Sequence, residues 1–372
     1  MKLTEKNMAR ACQALLAVGV ATFAAALATG NATRAWQAYL LNLLFWMGVA
    51  ECGVVFSAAY QLTRGRWSDP LRRMAESLWF FLPVAVALFV VLMLFGAKSV
   101  FWWAAGPAGE KAHWLNLPFV TARGLLVFTV VFGPSIAYVY YSQRPTLDRG
   151  RTRVLAPLVV IAFGIGFSLV GFDLVMSLDP HWYSTLFGWY FFVGAFYTLL
   201  AWLAVASALF RQPWGLEQHL DEHQNHDLGK LLFGFCLLTG GFLWAQWLVF
   251  WYGNLPEEIH YVIRRYYEMP FAPAAWVMTY GGFFVPLVVL LSKAVKRKPA
   301  LLATIGVWIL IMMWLERYVW IVPAAWKGEG APWVMEVLIT VGFLGGFVWM
   351  WIIHNRRFPL AALATPPDRR GH

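Results

Sequence analysis

Ten apolar stretches, each of roughly 20 residues or more, divide this 372-residue chain. They run approximately 11–29, 37–62, 77–96, 118–141, 153–177, 187–210, 229–252, 270–292, 300–322 and 333–354. A helix of about 20 apolar residues crosses a bilayer. Inside hydrocarbon every backbone N–H and C=O needs a partner within the protein, so only helices and closed barrels can span it. The runs are continuous, not alternating, which excludes a barrel. The sequence therefore predicts an all-α integral membrane protein with about ten transmembrane helices, built as one polytopic domain over residues 1–372. Composition agrees. Hydrophobic residues make up 60% and charged residues only 13%, about half the roughly 25% of a soluble domain. An ordinary soluble enzyme, a disordered chain and a nucleic-acid binder are excluded.

The first run has a basic start (Lys2, Lys6, Arg10) and small residues near Ala26, as a signal peptide would. Its length and the span that follows at once favour an uncleaved first helix. Orientation follows from Lys and Arg in the short loops. Twenty of the 29 basic residues fall in one alternating set of segments and six in the other. The basic set holds both termini, which predicts that both are cytoplasmic. The net charge of +10 is thus a topology signal. The outer loops 98–117 and 253–269 are longer than turns and rich in Trp and Tyr. An interfacial aromatic belt and a docking surface are both open readings for them.

Ionisable groups within a bilayer are costly, which makes each a functional candidate. The candidates are Glu51, Arg123, Asp173, Glu316, Arg317 and Glu336. Glu51 falls about halfway along the second span. The other five occupy the outer ends of the fourth, fifth, ninth and tenth spans. Structural ion pairing, such as Arg123 with Asp173, is one reading of that outer layer. Glu51 has no basic neighbour in its own span, and a carboxyl without a counter-ion is most simply held protonated. Such a group can take up and release protons. A neutral packing role is the alternative. Ser57, Ser135 and Tyr138 are among the polar residues that could extend a path.

Metal and haem chemistry is poorly served. No histidine lies in the middle of a span, so bis-histidine haem is not expected, and Cys12, Cys52 and Cys236 form no cluster motif. His219, His223 and His226 with Glu217, Asp221, Glu222 and Asp227 read as a solvated acidic loop, with a metal site as the alternative.

The junction of the fifth and sixth spans reads Asp173-Leu-Val-Met176-Ser177-Leu178-Asp179-Pro180-His181-Trp182-Tyr183. With Ala38-Tyr39-Leu-Leu-Asn42, with Glu51-Cys-Gly53-Val-Val-Phe56-Ser57, and with Trp114-Leu-Asn116-Leu-Pro118-Phe119 leading to Arg123, this resembles the NrfD/PsrC-like membrane subunits. Within that family it is most similar to the ActF-like subunits of the bacterial alternative complex III, a quinol:cytochrome c oxidoreductase of respiratory or photosynthetic chains.

The resemblance implies two four-helix bundles, spans two to five and six to nine, flanked by the first and last helices, in a bacterial inner membrane. It implies a subunit of an oxidoreductase complex without a redox centre of its own. Its partners would be an ActC-like paralogous membrane subunit, an iron–sulfur/molybdopterin-like subunit, multihaem cytochrome c subunits and lipids. Joined to the intramembrane charges above, it gives the expectation of a proton path through Glu51, Asp173 and Glu316, with Arg123, Arg317 and Glu336 tuning or anchoring it. An outer-face quinone site for menaquinone or ubiquinone at Asp179, His181 and Trp182 stays open, as do a proton-coupled secondary transporter and a purely structural anchor.

Overall fold

The structure, a computed structural model, describes residues 5–360 apart from 66, 107, 144–148, 218–219 and 327–332, and leaves out the side chains at 149 and 257. Six of the loop cations (Lys2, Arg66, Arg144, Lys327, Arg369 and Arg370), together with His219 and His372, therefore lie outside the described residues. All regular structure among the described residues is helical. Ten helices are long and apolar enough to cross a membrane. They are Glu5–Ala28, Ala32–Leu62, Asp69–Val100, Leu117–Ser142, Gly150–Leu178, Leu186–Leu209, Glu222–Gly253, Ala272–Leu291, Pro299–Ala325 and Val334–Arg357. The protein is an all-α, multi-pass membrane protein.

Every expected span is present, and the helices extend past several expected ends. The third starts at Asp69. Ser68 caps it, its hydroxyl accepting from the Leu71 N–H at 3.3 Å, and Pro70 sits in the first turn where no N–H is needed. The seventh starts at Glu222, where the Asp221 carboxylate accepts from the Gln224 N–H at 2.8 Å. His223 and His226, read from the sequence as loop residues, thus belong to its first turns.

Helix packing forms two rings. The second, third, fourth and fifth spans pack in order and close fifth onto second. The sixth, seventh, eighth and ninth do the same, closing ninth onto sixth. The first span lies along the tenth through glycines. Gly19 meets the backbone of Gly342, and Gly345 meets the Cys12 carbonyl, with no room for a Cβ at either contact. With ten crossings the two ends of the described chain share a face, and there the Arg356 guanidinium donates to Glu5 at 2.8 Å.

The second span is the axis of the molecule. Every residue from Ala35 to Ala58 is buried, because it packs on the third, fifth, sixth, ninth and tenth spans. A helix apolar all round belongs inside the protein. Glu51 therefore faces protein and not lipid.

Candidate functional site

Three polar clusters occupy the interior, and the sequence exposed only part of them. The first closes the end of bundle one that carries the basic loops. Glu76, fully buried, accepts from Ser57 Oγ at 2.5 Å, Ser142 Oγ at 2.7 Å, Arg72 at 2.9 Å and Arg73 at 2.9 Å. Arg72 also binds Asp69 at 2.5 Å. The Tyr138 hydroxyl lies 3.1 Å from Ser57 Oγ and donates to Gln61 Oε1 at 2.9 Å. Ser135, Tyr138 and Ser142 recur at the three- and four-residue spacing of one helix face, so the fourth span turns a hydroxyl stripe towards the second and third.

Glu51 is the second cluster. It is fully buried, and its Oε1 accepts from Ser135 Oγ at 2.6 Å. Its Oε2 has no hydrogen-bond partner among the described residues. Ser135 lies one helical turn from Tyr138, so Glu51 hangs from the same stripe that reaches Glu76. No direct hydrogen bond bridges that turn among the described residues. Gly48, one helical turn before Glu51, packs on Ala195 of the sixth span, and the neighbouring Gly194 faces the Arg317 guanidinium, so Glu51 lies close to the seam where the bundles meet.

The third cluster lies in bundle two. Glu316 is fully buried and accepts from the Tyr190 hydroxyl at 2.5 Å and from the Arg317 guanidinium. Arg317 stacks 4.7 Å from the centre of the Trp320 ring. Gly194 opposite leaves the guanidinium its space. Arg317 Nε, like Glu51 Oε2, is buried without a partner among the described residues. A buried unpaired donor or acceptor costs about 1–3 kcal/mol, so each marks a place suited to an ordered water.

The remaining intramembrane charges are locked in pairs. Arg123 grips Asp173 through two bonds of 2.8 Å and stacks 3.9 Å from the Trp114 ring. The sequence offered that pairing as one alternative. Glu336 is held by Arg34 through bonds of 3.0 and 3.1 Å. Arg34 had been read only as an outer-loop charge, because two residues 302 positions apart reveal no adjacency in sequence.

At the outer face the Asp179–Trp182 turn docks on the helix Pro256–Tyr266. Asp179 lies 3.9 Å from Arg265, and Trp182 stacks on Tyr261 with ring centres 3.8 Å apart. Burial lowers the Arg265 pKa, a loss opposed by Tyr261 and Asp179, and burial pushes the Tyr261 phenol up to about 12. The His181 N–H donates to Asp179 within the turn at 3.1 Å, and the residue is exposed. Trp182, Tyr190, Gln246, Arg265 and Tyr266 line a cleft of about 40 Å³. That volume admits a few waters and is far below the roughly 300 Å³ of a small-molecule pocket.

Sequence reasoning missed Glu76, Arg72, Arg73, Arg34, Tyr190 and Arg265. Of these, Arg72, Arg73, Arg34 and Arg265 were visible as topology charges alone. No group of three or more His, Cys, Asp or Glu side chains among the described residues could hold a metal ion. No protein-family model matches the chain, and no curated protein matches it.

Proposed function

We propose that this chain is the proton-transfer membrane subunit of a quinol-oxidising electron-transfer complex in a bacterial cytoplasmic membrane, of the NrfD-like kind that its sequence resembles. The observation that carries the reading is Glu51, a fully buried carboxyl with one oxygen unpartnered at the seam between two bundles. It takes one hydrogen bond from the Ser135 hydroxyl, and Arg317 stands in the second bundle against Gly194 of the sixth span, which packs on the second.

The route starts at the basic face. Glu76, held by Arg72 and Arg73, anchors the hydroxyls of Ser57 and Ser142, with Tyr138 next in line. Water spans the turn from Tyr138 to Ser135, and Ser135 hands the proton to Glu51. A second water step crosses the seam to Glu316, whose Tyr190 partner lines the outer cleft. Arg317 sets the field in which both carboxyls exchange protons. Asp173, first placed in this path, is assigned a structural role instead. So are Arg123, Arg34 and Glu336, because a charge gripped in a two-bond pair does not cycle. The outer cleft serves as the proton mouth, and quinone chemistry belongs to a partner subunit.

The test is proton translocation by the whole complex in liposomes. Glu51→Gln keeps the shape and one hydrogen-bond pattern but cannot ionise. Quinol oxidation without a proton gradient should proceed at near the wild-type rate, while protons moved per electron fall at least severalfold. An unchanged ratio removes Glu51 from any route.

A further inference from the structure

One large hollow between helices takes no part in that route. It is a wedge of about 550 Å³ between the seventh and eighth spans, floored by Cys236, Gly240, Gly241 and Phe283. Two features open it. Gly240 and Gly241 remove side chains from the seventh span. The eighth span takes a π-helical turn at Tyr280–Phe284, whose carbonyls are held by side chains of other spans. Trp308 donates to Gly281 at 2.7 Å, Tyr197 to Gly282 at 3.3 Å and Cys236 to Phe283 at 3.4 Å. The rim residues Trp244, Tyr280 and Phe284 are more than half exposed, at 65%, 55% and 56%, so the wedge opens sideways to hydrocarbon.

The wall offers a ligand almost nothing polar. Its Cys236 thiol is spent on Phe283, and its Thr279 hydroxyl donates to the Ala275 carbonyl at 2.9 Å. Such a lining suits a hydrocarbon chain. Its head must sit elsewhere, and the same two helices show where. Lys230 precedes Cys236 by six residues, about 9 Å along the helix. The eighth span runs beyond Leu287 to the short helix Lys293–Arg297, which folds back on the seventh, the Lys296 stem resting on Gly229. Lys230, Lys293, Lys296, Arg297 and Lys298 thus gather at one mouth of the wedge. Two carboxylates answer them: Asp227 holds Lys230 at 2.6 Å and Glu222 lies 3.7 Å from Arg297. Lys293, Lys296 and Lys298 reach no carboxylate among the described residues. The excess is positive and lies at the ends of the two spans, where Lys and Arg beside a membrane helix meet lipid phosphates.

We propose that this wedge is a site for one anionic phospholipid, with an acyl chain between Gly241 and Phe283 and its phosphate on the Lys230–Lys296 cluster. One leaflet is about 15 Å deep, which matches the reach from Lys230 to the glycine pair.

Native mass spectrometry of the protein purified in its complex tests this. The probes are dioleoyl phosphatidylglycerol, the phosphatidylcholine with the same chains, a neutral polyprenol and glycerol phosphate. Phosphatidylglycerol should be retained, with phosphatidylcholine at least tenfold weaker, and retention should fall as salt rises. Lys230→Glu with Lys296→Glu should reduce phosphatidylglycerol to the phosphatidylcholine level. Gly241→Leu, at a position where an added Cβ meets nothing within 4 Å, should expel both lipids while leaving the unfolding midpoint in phosphatidylcholine unchanged. Should the double charge reversal fail to fold, Lys293→Gln with Lys296→Gln carries the same comparison. Equal retention of the two phospholipids overturns the proposal. So does a polyprenol that displaces phosphatidylglycerol and ignores the charge variants, and so does full competition by glycerol phosphate, which marks a free-anion site.

Discussion

At the scale of single residues, Glu51 and Asp173 are carboxyls in opposite situations. Asp173 shares two bonds of 2.8 Å with Arg123. Glu51 has one hydroxyl donor and, among the described residues, no partner for its other oxygen. Removing one partner of a buried ion pair strands the other charge, at about 3–5 kcal/mol, whereas replacing both by apolar groups is often neutral. Asp173→Asn should therefore lower stability by about 3–5 kcal/mol, and Arg123→Met with Asp173→Leu should recover most of that loss. Thermal unfolding in detergent reads both. Protons moved per electron should stay at the wild-type value in the double variant, and a loss there would return Asp173 to the route. The same reasoning applies to Glu336, fully buried against Arg34. Glu336→Ala should cost about 3–5 kcal/mol, more than Glu5→Ala, whose partner Arg356 is half exposed.

At the scale of elements, the third span shows what a sequence discloses and what it conceals. Its apolar run was legible as 77–96. Its first two turns, Asp69–Glu76, were not, because Asp-Pro-Leu-Arg-Arg-Met-Ala-Glu carries four charges in eight residues. Hydropathy cannot mark such a segment as buried. It is buried because the second span offers Gly53, against which the Ala75 carbonyl packs with no room for a Cβ. The charges then satisfy one another and the hydroxyls of the second and fourth spans. Gly53→Val should push this segment away. Overpacking typically costs about 1–3 kcal/mol, and exposing the Arg72–Glu76 cluster adds to it. The expected result is a lowered unfolding midpoint together with faster proteolytic cleavage near residue 66. Ser68→Ala, which removes only the cap, should cost about 1 kcal/mol and leave cleavage slow. Span count and Glu51 were readable because each shows in a single window of sequence. Arg34 with Glu336, Tyr190 with Glu316 and Arg265 with Asp179 were not, since each pairing exists only once two distant helices meet.

At the scale of the whole molecule, the two rings of helices meet along the second span, and the proposed route must cross that seam. Bundle one supplies polar groups from the basic face inward as far as Glu51. Bundle two supplies them from Glu316 outward to the cleft at Tyr190 and Arg265. The proposed route takes its inner half from bundle one and its outer half from bundle two, so a proton following it enters one and leaves through the other. This arrangement makes a quantitative demand. Groups in series on one route each stop the flow alone, and removing both stops nothing further. Groups on parallel routes subtract independently, as distant sites ordinarily do. Glu316→Gln and Glu51→Gln should each lower protons moved per electron severalfold, and the double variant should fall no lower than the worse single one. Glu316→Gln also weakens the Arg317 pair, so its stability loss must be matched by Tyr190→Phe, which leaves the carboxyl in place and removes only its hydroxyl donor. If the two glutamine variants subtract independently, each bundle conducts on its own and the seam is only a packing surface.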